Sequence, residues 1–189
     1  LLSTLKKTIG LIETEQSLTA SLHTIQTVLQ IAFLQETSKV EILKGPGAVA
    51  LIDLKFYFDL IYRQMPNLKT MSKWTKEFEN LFDTVMTKLF LSKKHCPATR
   101  VAAFIHRFAI LIEEPSSSLP FEAKIYFLRL IVRLMDRHEK TRGLLDDETL
   151  GVAAYLPNCA DPDLCNPLCR QLNIDGIIKG IGVKVPNDI

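Results

Sequence analysis

The sequence predicts an all-α chain, an irregular α-solenoid built from antiparallel helix pairs lying side by side. Three observations predict it. Apolar residues recur at intervals of three and four through most of the 189 residues. Proline and glycine fall between those amphipathic runs, where helices must end. No segment shows sustained alternation with β-branched enrichment, and only 45–52 is ambiguous. Hydrophobic residues make up 47% and charged residues 23%, the balance of a chain that folds around a core. The length suits one domain, 1–189, and the start at Leu1-Leu2 reads as a piece of a longer protein.

The first helix is expected over 17–33. Leu18, Leu22, Ile25, Val28, Leu29 and Phe33 share one face, with Ser17 as N-cap. Gly45-Pro46-Gly47 forms a turn, since Pro cannot donate a helical hydrogen bond and the glycines can take positive φ. Asp53 caps a helix to about Met65, and Pro66 ends it. Leu54, Phe56, Tyr57, Phe58, Leu60, Ile61 and Met65 cover most of that helix, which implies packing on more than one side. Ser72 opens a helix carrying Trp74, Phe78, Leu81, Phe82, Val85, Met86 and Leu89.

Pro97 lies in the first turn of a helix through Ile112, with Val101, Phe104, Phe108 and Leu111 on one face. After the loop EEPSSSLP, Pro120 opens a long helix to about His138. Asp161-Pro162 has the form of an N-cap followed by Pro at the first helical position, and predicts a short helix to about Leu172. The total is about six or seven helices, with no repeat at a fixed period.

Motifs of catalysis are not found. There is no G-x-S-x-G, Walker loop, H-E-x-x-H or dinucleotide-binding glycine turn. KGPGAVAL lacks the Lys-Ser/Thr that would complete a phosphate cradle. Asp146, Asp147 and Glu148 read as a solvated helix start favoured by the helix dipole rather than as a cation site. His23, His95, His106 and His138 have no partner spacing, and Cys96, Cys159, Cys165 and Cys169 form no C-x-x-C, so no metal site is expected. The cysteines read as thiols of a reducing compartment. The expectation is a non-enzymatic chain without cofactor or small-molecule substrate. No run of about eighteen apolar residues exists to cross a membrane, and the charged start is unlike a signal peptide.

Net charge is only +2, so any affinity for nucleic acid must come from local clusters. Two stand out. Between Asp83 and Glu113 no acidic residue occurs, while Lys88, Lys93, Lys94, His95, Arg100, His106 and Arg107 do. On the long helix Arg129, Arg133 and Arg137 are spaced by four and form one stripe, extended by Lys140, while Ile125, Leu128, Ile131, Val132, Leu134 and Met135 make the other faces apolar. Either cluster can meet RNA phosphates or an acidic partner. The plain alternative is a solvated edge paired with Asp136, Glu139 or a neighbouring helix.

Three segments carry a resemblance. KGPGAVALIDLKFYFDLIYRQM matches a family segment running from a Ser-Gly-x-Gly turn into an aromatic helix, at Gly45, Gly47, Ile52, Asp53, Phe56, Tyr57, Leu60 and Tyr62. RVAAFIHRF is similar to an Arg-x-Ala-Ala-Phe-x-Lys-Arg-Leu helix at Arg100, Ala102, Ala103, Phe104 and Arg107, with His106 and Phe108 replacing Lys and Leu. YLPNCADPDLCNP resembles Tyr-x-Pro…Asp-Pro-Glu-x-x-Asn-Ala at Tyr155, Pro157, Asp161, Pro162, Asp163, Cys165 and Asn166. Their order and spacing over 20–172 resemble the CCAAT-binding-factor-like domain family of nucleolar complex proteins, its nucleolar complex protein 3 branch in particular. The family's later Leu-Trp-Glu-Leu and His-Tyr-His-Pro motifs are replaced by RQLNIDGIIKGIGVKVPNDI, with only Leu172 in place.

The resemblance implies a HEAT-like helical scaffold in the nucleolus of the nucleus. It implies work in large-subunit (pre-60S) ribosome assembly and rRNA processing, beside a nucleolar complex protein 2 homologue, other pre-60S proteins and pre-rRNA. A link of the family to replication initiation leaves a direct RNA- or DNA-binding module as the second reading. A cytosolic helical-repeat adaptor is the third.

Overall fold

The computed structural model describes residues 18–38, 54–91, 96–115, 117–145 and 171–182. The regular structure of these residues is helical throughout, so the all-α expectation is met. The elements are α1 (Leu18–Ser38), α2 (Leu54–Gln64), α3 (Lys76–Met86), α4 (Ala98–Glu113), α5 (Phe121–Arg137) and α6 (Ile174–Ile181), with short 3-10 segments at Met65–Thr70 and Glu139–Leu145. The predicted turn at Gly45–Gly47, the cap at Asp53 and the motif at Asp161-Pro162 lie outside the described residues. The chain divides into two compact units, 1–64 with 75–92, and 65–74 with 93–189.

In the first unit α1 packs against α2 and α3. Its buried residues Leu18, Leu22, Ile25 and Leu29 follow the predicted face. On α2 the buried set Tyr57, Phe58, Ile61 and Tyr62 forms a wide stripe, while Arg63 points to solvent. Phe58 meets Phe90 edge-on, ring centroids 4.9 Å apart, one of the arrangements aromatic quadrupoles favour. Pro66 does end the α-helix, yet the chain continues as a 3-10 segment with Pro66 in its first turn, where its missing N–H is not needed.

Helix α3 starts three residues later than Ser72 predicts. Thr75 is the cap, and its hydroxyl accepts from the Phe78 N–H at 3.2 Å. Glu77 and Glu79 then occupy the first turn, at the positive end of the dipole. The Glu77 carboxylate accepts from its own backbone N–H and from the Thr75 hydroxyl, which together hold its carboxyl below the usual range. Phe78, Leu81, Phe82, Val85 and Met86 are buried, and a π-turn at Thr87–Leu91 buries Leu89 and Phe90 as well. Trp74, expected inside this helix, lies before it and belongs to the second unit.

In the second unit α4 is the central rod. The sequence predicts one apolar face, but Val101, Ala102, Ala103, Phe104, Ile105, Phe108, Ala109, Leu111 and Ile112 are all buried, so α4 is covered on several sides. It packs on α5, on α6 and on both 3-10 segments. An aromatic run joins these layers. Phe108 stacks on Phe127 at 5.3 Å and 16°, and Trp74 approaches Phe127 at 5.4 Å and Tyr126 at 5.5 Å. This cluster holds Trp74 outside α3.

The loop after α4 is tied to the 3-10 segment before α3. Ser118 donates to the Lys69 carbonyl from both its N–H and its hydroxyl, each at 2.9 Å, and Lys69 pairs with Glu114. Helix α6 was not anticipated. Asn173 caps it by accepting from the Gly176 N–H at 3.0 Å, and Gly182 ends it at φ 86°, a conformation that favours glycine. It lies so close to the end of α4 that a Cβ at Gly180 would come within 2.1 Å of the Ile112 carbonyl oxygen. Lys124 of α5 donates to the Gly180 carbonyl at 2.8 Å.

Candidate nucleic-acid interface

The second unit brings part of the predicted basic set together and separates the rest. On α5 the inward face is Ala123, Tyr126, Phe127, Leu130, Ile131, Leu134 and Met135. Arg129, Arg133 and Arg137 are fully on the outward side, and all three are exposed. The period of four that predicts the stripe therefore coincides with the solvent edge. The faces beside it are less apolar in their surroundings than expected: Val132 is 52% exposed, and Ile125 and Leu128 are half-buried. The buried side chains of helix α5 thus lie on one broad side of it.

After Arg137 the chain turns at His138 and enters the 3-10 segment, where Thr141 donates to the His138 carbonyl at 2.7 Å. That turn brings Arg137, His138, Glu139 and Lys140 opposite Cys96, Pro97 and Ala98 at the start of α4. Between them is an open cleft of about 570 Å³. Pro97 is the N-cap of α4 and offers no side-chain hydrogen bond, while its carbonyl accepts from the Arg100 and Val101 N–H groups at 3.0 and 3.2 Å. From Arg129 to Arg142 there are five cations, Arg129, Arg133, Arg137, Lys140 and Arg142, against two carboxylates, Asp136 and Glu139. Asp136 is engaged by Arg142 at 3.5 Å. Arg129, Arg133 and Arg137 lie along one exposed edge of α5, and Arg137 and Lys140 line the cleft.

The other predicted residues lie elsewhere. Arg100 is buried within the second unit, and Arg107 is half-buried. Both are on α4, whose many covering neighbours leave little of it at the surface. Arg100 therefore does not line a contact surface, a correction that follows from the covering of α4 on several sides. Lys93 and Lys94 lie outside the described residues, as do Gly45, Gly47, Asp53, Asp161, Pro162 and Asn166 of the family motifs. Tyr57 is buried in the first unit, where it acts as core, and Phe56 lies in the first turn of α2. The proximity of the α4 start to Lys140 was not foreseen. Its sequence signal is a helix-opening Pro97 that supplies no capping side chain.

Among the described residues no group of three or more His, Cys, Asp and Glu side chains is placed to hold a metal ion. No described helix is long and apolar enough to cross a membrane.

Comparison with known proteins gives one family and two relatives. The CBF/Mak21 family model matches residues 20–173. The chain is 30% identical over 154 residues to nucleolar complex protein 4 homolog of Mus musculus, covering 74% of this chain and 28% of that protein. It is 32% identical over 151 residues to nucleolar complex protein 3 homolog of Homo sapiens, covering 77% of this chain and 16% of that protein. The chain therefore spans less than a third of the length of either relative. The matched span takes in the three motifs that carry the resemblance and runs through α1 to the residue before α6, and on it the chain belongs to the CBF/Mak21 family.

Proposed function

We propose that this chain is a non-enzymatic helical scaffold segment that works in ribosome biogenesis in the nucleolus. The observation that carries the proposal is the family match over 20–173, together with relatives named as nucleolar complex proteins. The finer reading is assembly of the large subunit. There the chain joins pre-60S particles beside a nucleolar complex protein 2 homologue and close to pre-rRNA, with HEAT-like stacking of its helix pairs. The chemistry of the described residues suits that role. Their buried positions are overwhelmingly aliphatic and aromatic, and polar side chains such as Thr75, Ser118 and Asn173 act as caps and ties between elements.

The experiment is purification of the tagged full-length protein from nuclei, followed by identification of the RNA and proteins that accompany it. Large-subunit precursors with a nucleolar complex protein 2 homologue are expected. Recovery with small-subunit precursors alone would remove the large-subunit reading. Recovery with replication factors alone, or with cytosolic vesicle coats alone, would remove the ribosomal reading altogether.

A further inference from the structure

We propose that the outward face of α5 is a pairing surface for a second copy of this chain, with the two α5 helices antiparallel. Phe121, Ile125, Leu128 and Val132 follow one another at spacings of four, three and four, the interval of a coiled-coil seam. None of them belongs to the buried side of the helix. Phe121 is 57% and Val132 52% exposed, and Ile125 and Leu128 between them are half-buried. A continuous apolar row at the surface marks a contact, where scattered apolar side chains would not.

The charges beside the row say what covers it. Glu122 follows Phe121 and Arg129 follows Leu128, so both stand on the same flank of the row, about two turns apart. Both are exposed, and among the described residues neither has an ion-pair partner. An antiparallel arrangement that sets Phe121 opposite Val132 of the second copy also sets Ile125 opposite Leu128 of the second copy, because the spacing reads the same in either direction. In that register Glu122 comes within about 3 Å along the axis of Arg129 of the second copy, on the same side of the seam. The two-fold axis repeats this pair at the other end. A parallel arrangement would instead bring Lys124 beside Arg129 of the second copy, two cations. The apolar row and the order of its flanking charges are therefore self-complementary in one orientation, as a two-fold contact requires.

One helix pair is a small contact, below about 1,200 Å² of buried surface, so the dimer is weak, with a Kd on the order of tens of micromolar. The test is sedimentation equilibrium of the chain over concentrations that bracket this value. Glu122→Arg and Arg129→Glu each place like charges at both ends of the seam, and each should weaken the dimer about tenfold. A mixture of the two variants has opposite charges at both ends again, so it should associate about as tightly as the unchanged chain, now as a heterodimer. Val132→Lys puts an ammonium group into the seam and should leave only monomer. Its melting temperature should stay that of the unchanged chain, because Val132 is exposed.

A monomer at every concentration would overturn the proposal and assign the row to another protein. A dimer that survives Val132→Lys would place the contact elsewhere on the molecule. Single charge variants that associate as the unchanged chain does, or a mixture no tighter than its components, would refute the antiparallel pairing. Circular dichroism accompanies each variant. If Glu122→Arg, in the first turn of α5, loses helicity, Val132→Lys still decides.

Discussion

Asn173 donates from its side-chain amide to the Glu113 carboxylate at 3.1 Å, across sixty positions of the chain. The same side chain accepts from the Gly176 N–H at 3.0 Å. One residue therefore caps α6 and fastens it to the end of α4.

Asn173→Ala should remove both bonds. The cap alone contributes about 0.5–2 kcal/mol, and a lower melting temperature of the chain measures it. Asn173→Asp should recover the cap but not the tie, because two carboxylates would then face each other. Melting of Asn173→Asp at the wild-type temperature would show that the tie contributes nothing.

Gly180→Ala should destabilise the second unit by about 1–3 kcal/mol, the usual range for overpacking. The clash is with a backbone carbonyl, Ile112 O at 2.1 Å from the added Cβ, so no side-chain rotation relieves it. Gly182→Ala meets no atom within 4 Å, and only its left-handed φ of 86° opposes it, at a cost of about 1–2 kcal/mol. Denaturant melts of the two variants should differ in origin: Gly180→Ala should free the Lys124 ammonium from its acceptor at Gly180, and Gly182→Ala should not. An amide-exchange map of α6 distinguishes them.

Phe127→Ala should cost about 3–5 kcal/mol in chemical denaturation, as expected for deleting a fully buried ring. Phe127 is shared by Phe108 and Trp74, so tryptophan fluorescence should shift in the same variant. An unchanged emission spectrum in a folded variant would deny the packing of Trp74 on this ring.

Glu77 gives a pH-dependent prediction. Hydrogen bonds from its own N–H and from Thr75 depress its carboxyl below the ordinary 4.5. Its contribution to stability is therefore present above the unfolded value and is lost as pH falls through the lower folded value. Glu77→Gln should lower the melting temperature slightly at neutral pH and match the wild type in strong acid, where the carboxyl is protonated in both states. Thr75→Ala should reduce the same acid sensitivity and also remove the cap on Phe78.

Helix identity was legible wherever the sequence has a wide apolar stripe and a proline at its start. Pro97 and Pro120 mark α4 and α5 to within a residue. The start of α3 was not legible, because Ser72 and Thr75 are both good caps and the choice depends on Trp74 being drawn to Tyr126 and Phe127. Helix α6 was hidden by its glycines. Gly176 and Gly180 weaken intrinsic helicity, and their value lies in a close approach to α4 that only the fold reveals. For the basic residues, spacing alone places Arg129, Arg133 and Arg137 on the surface. It could not separate Arg100 from them, since the burial of Arg100 comes from elements distant in sequence.

The short length of α6 has a consequence for motion. Eight residues are too few for a helix to persist alone in water, so α6 exists only while docked. Its side-chain anchors are Glu113 and Lys124, sixty and fifty-six positions away, and undocking breaks both. Among the described helices α6 is therefore the one whose local opening should need the least free energy. Amide exchange in native protein should accordingly be earliest in α6, ahead of α4 and α5.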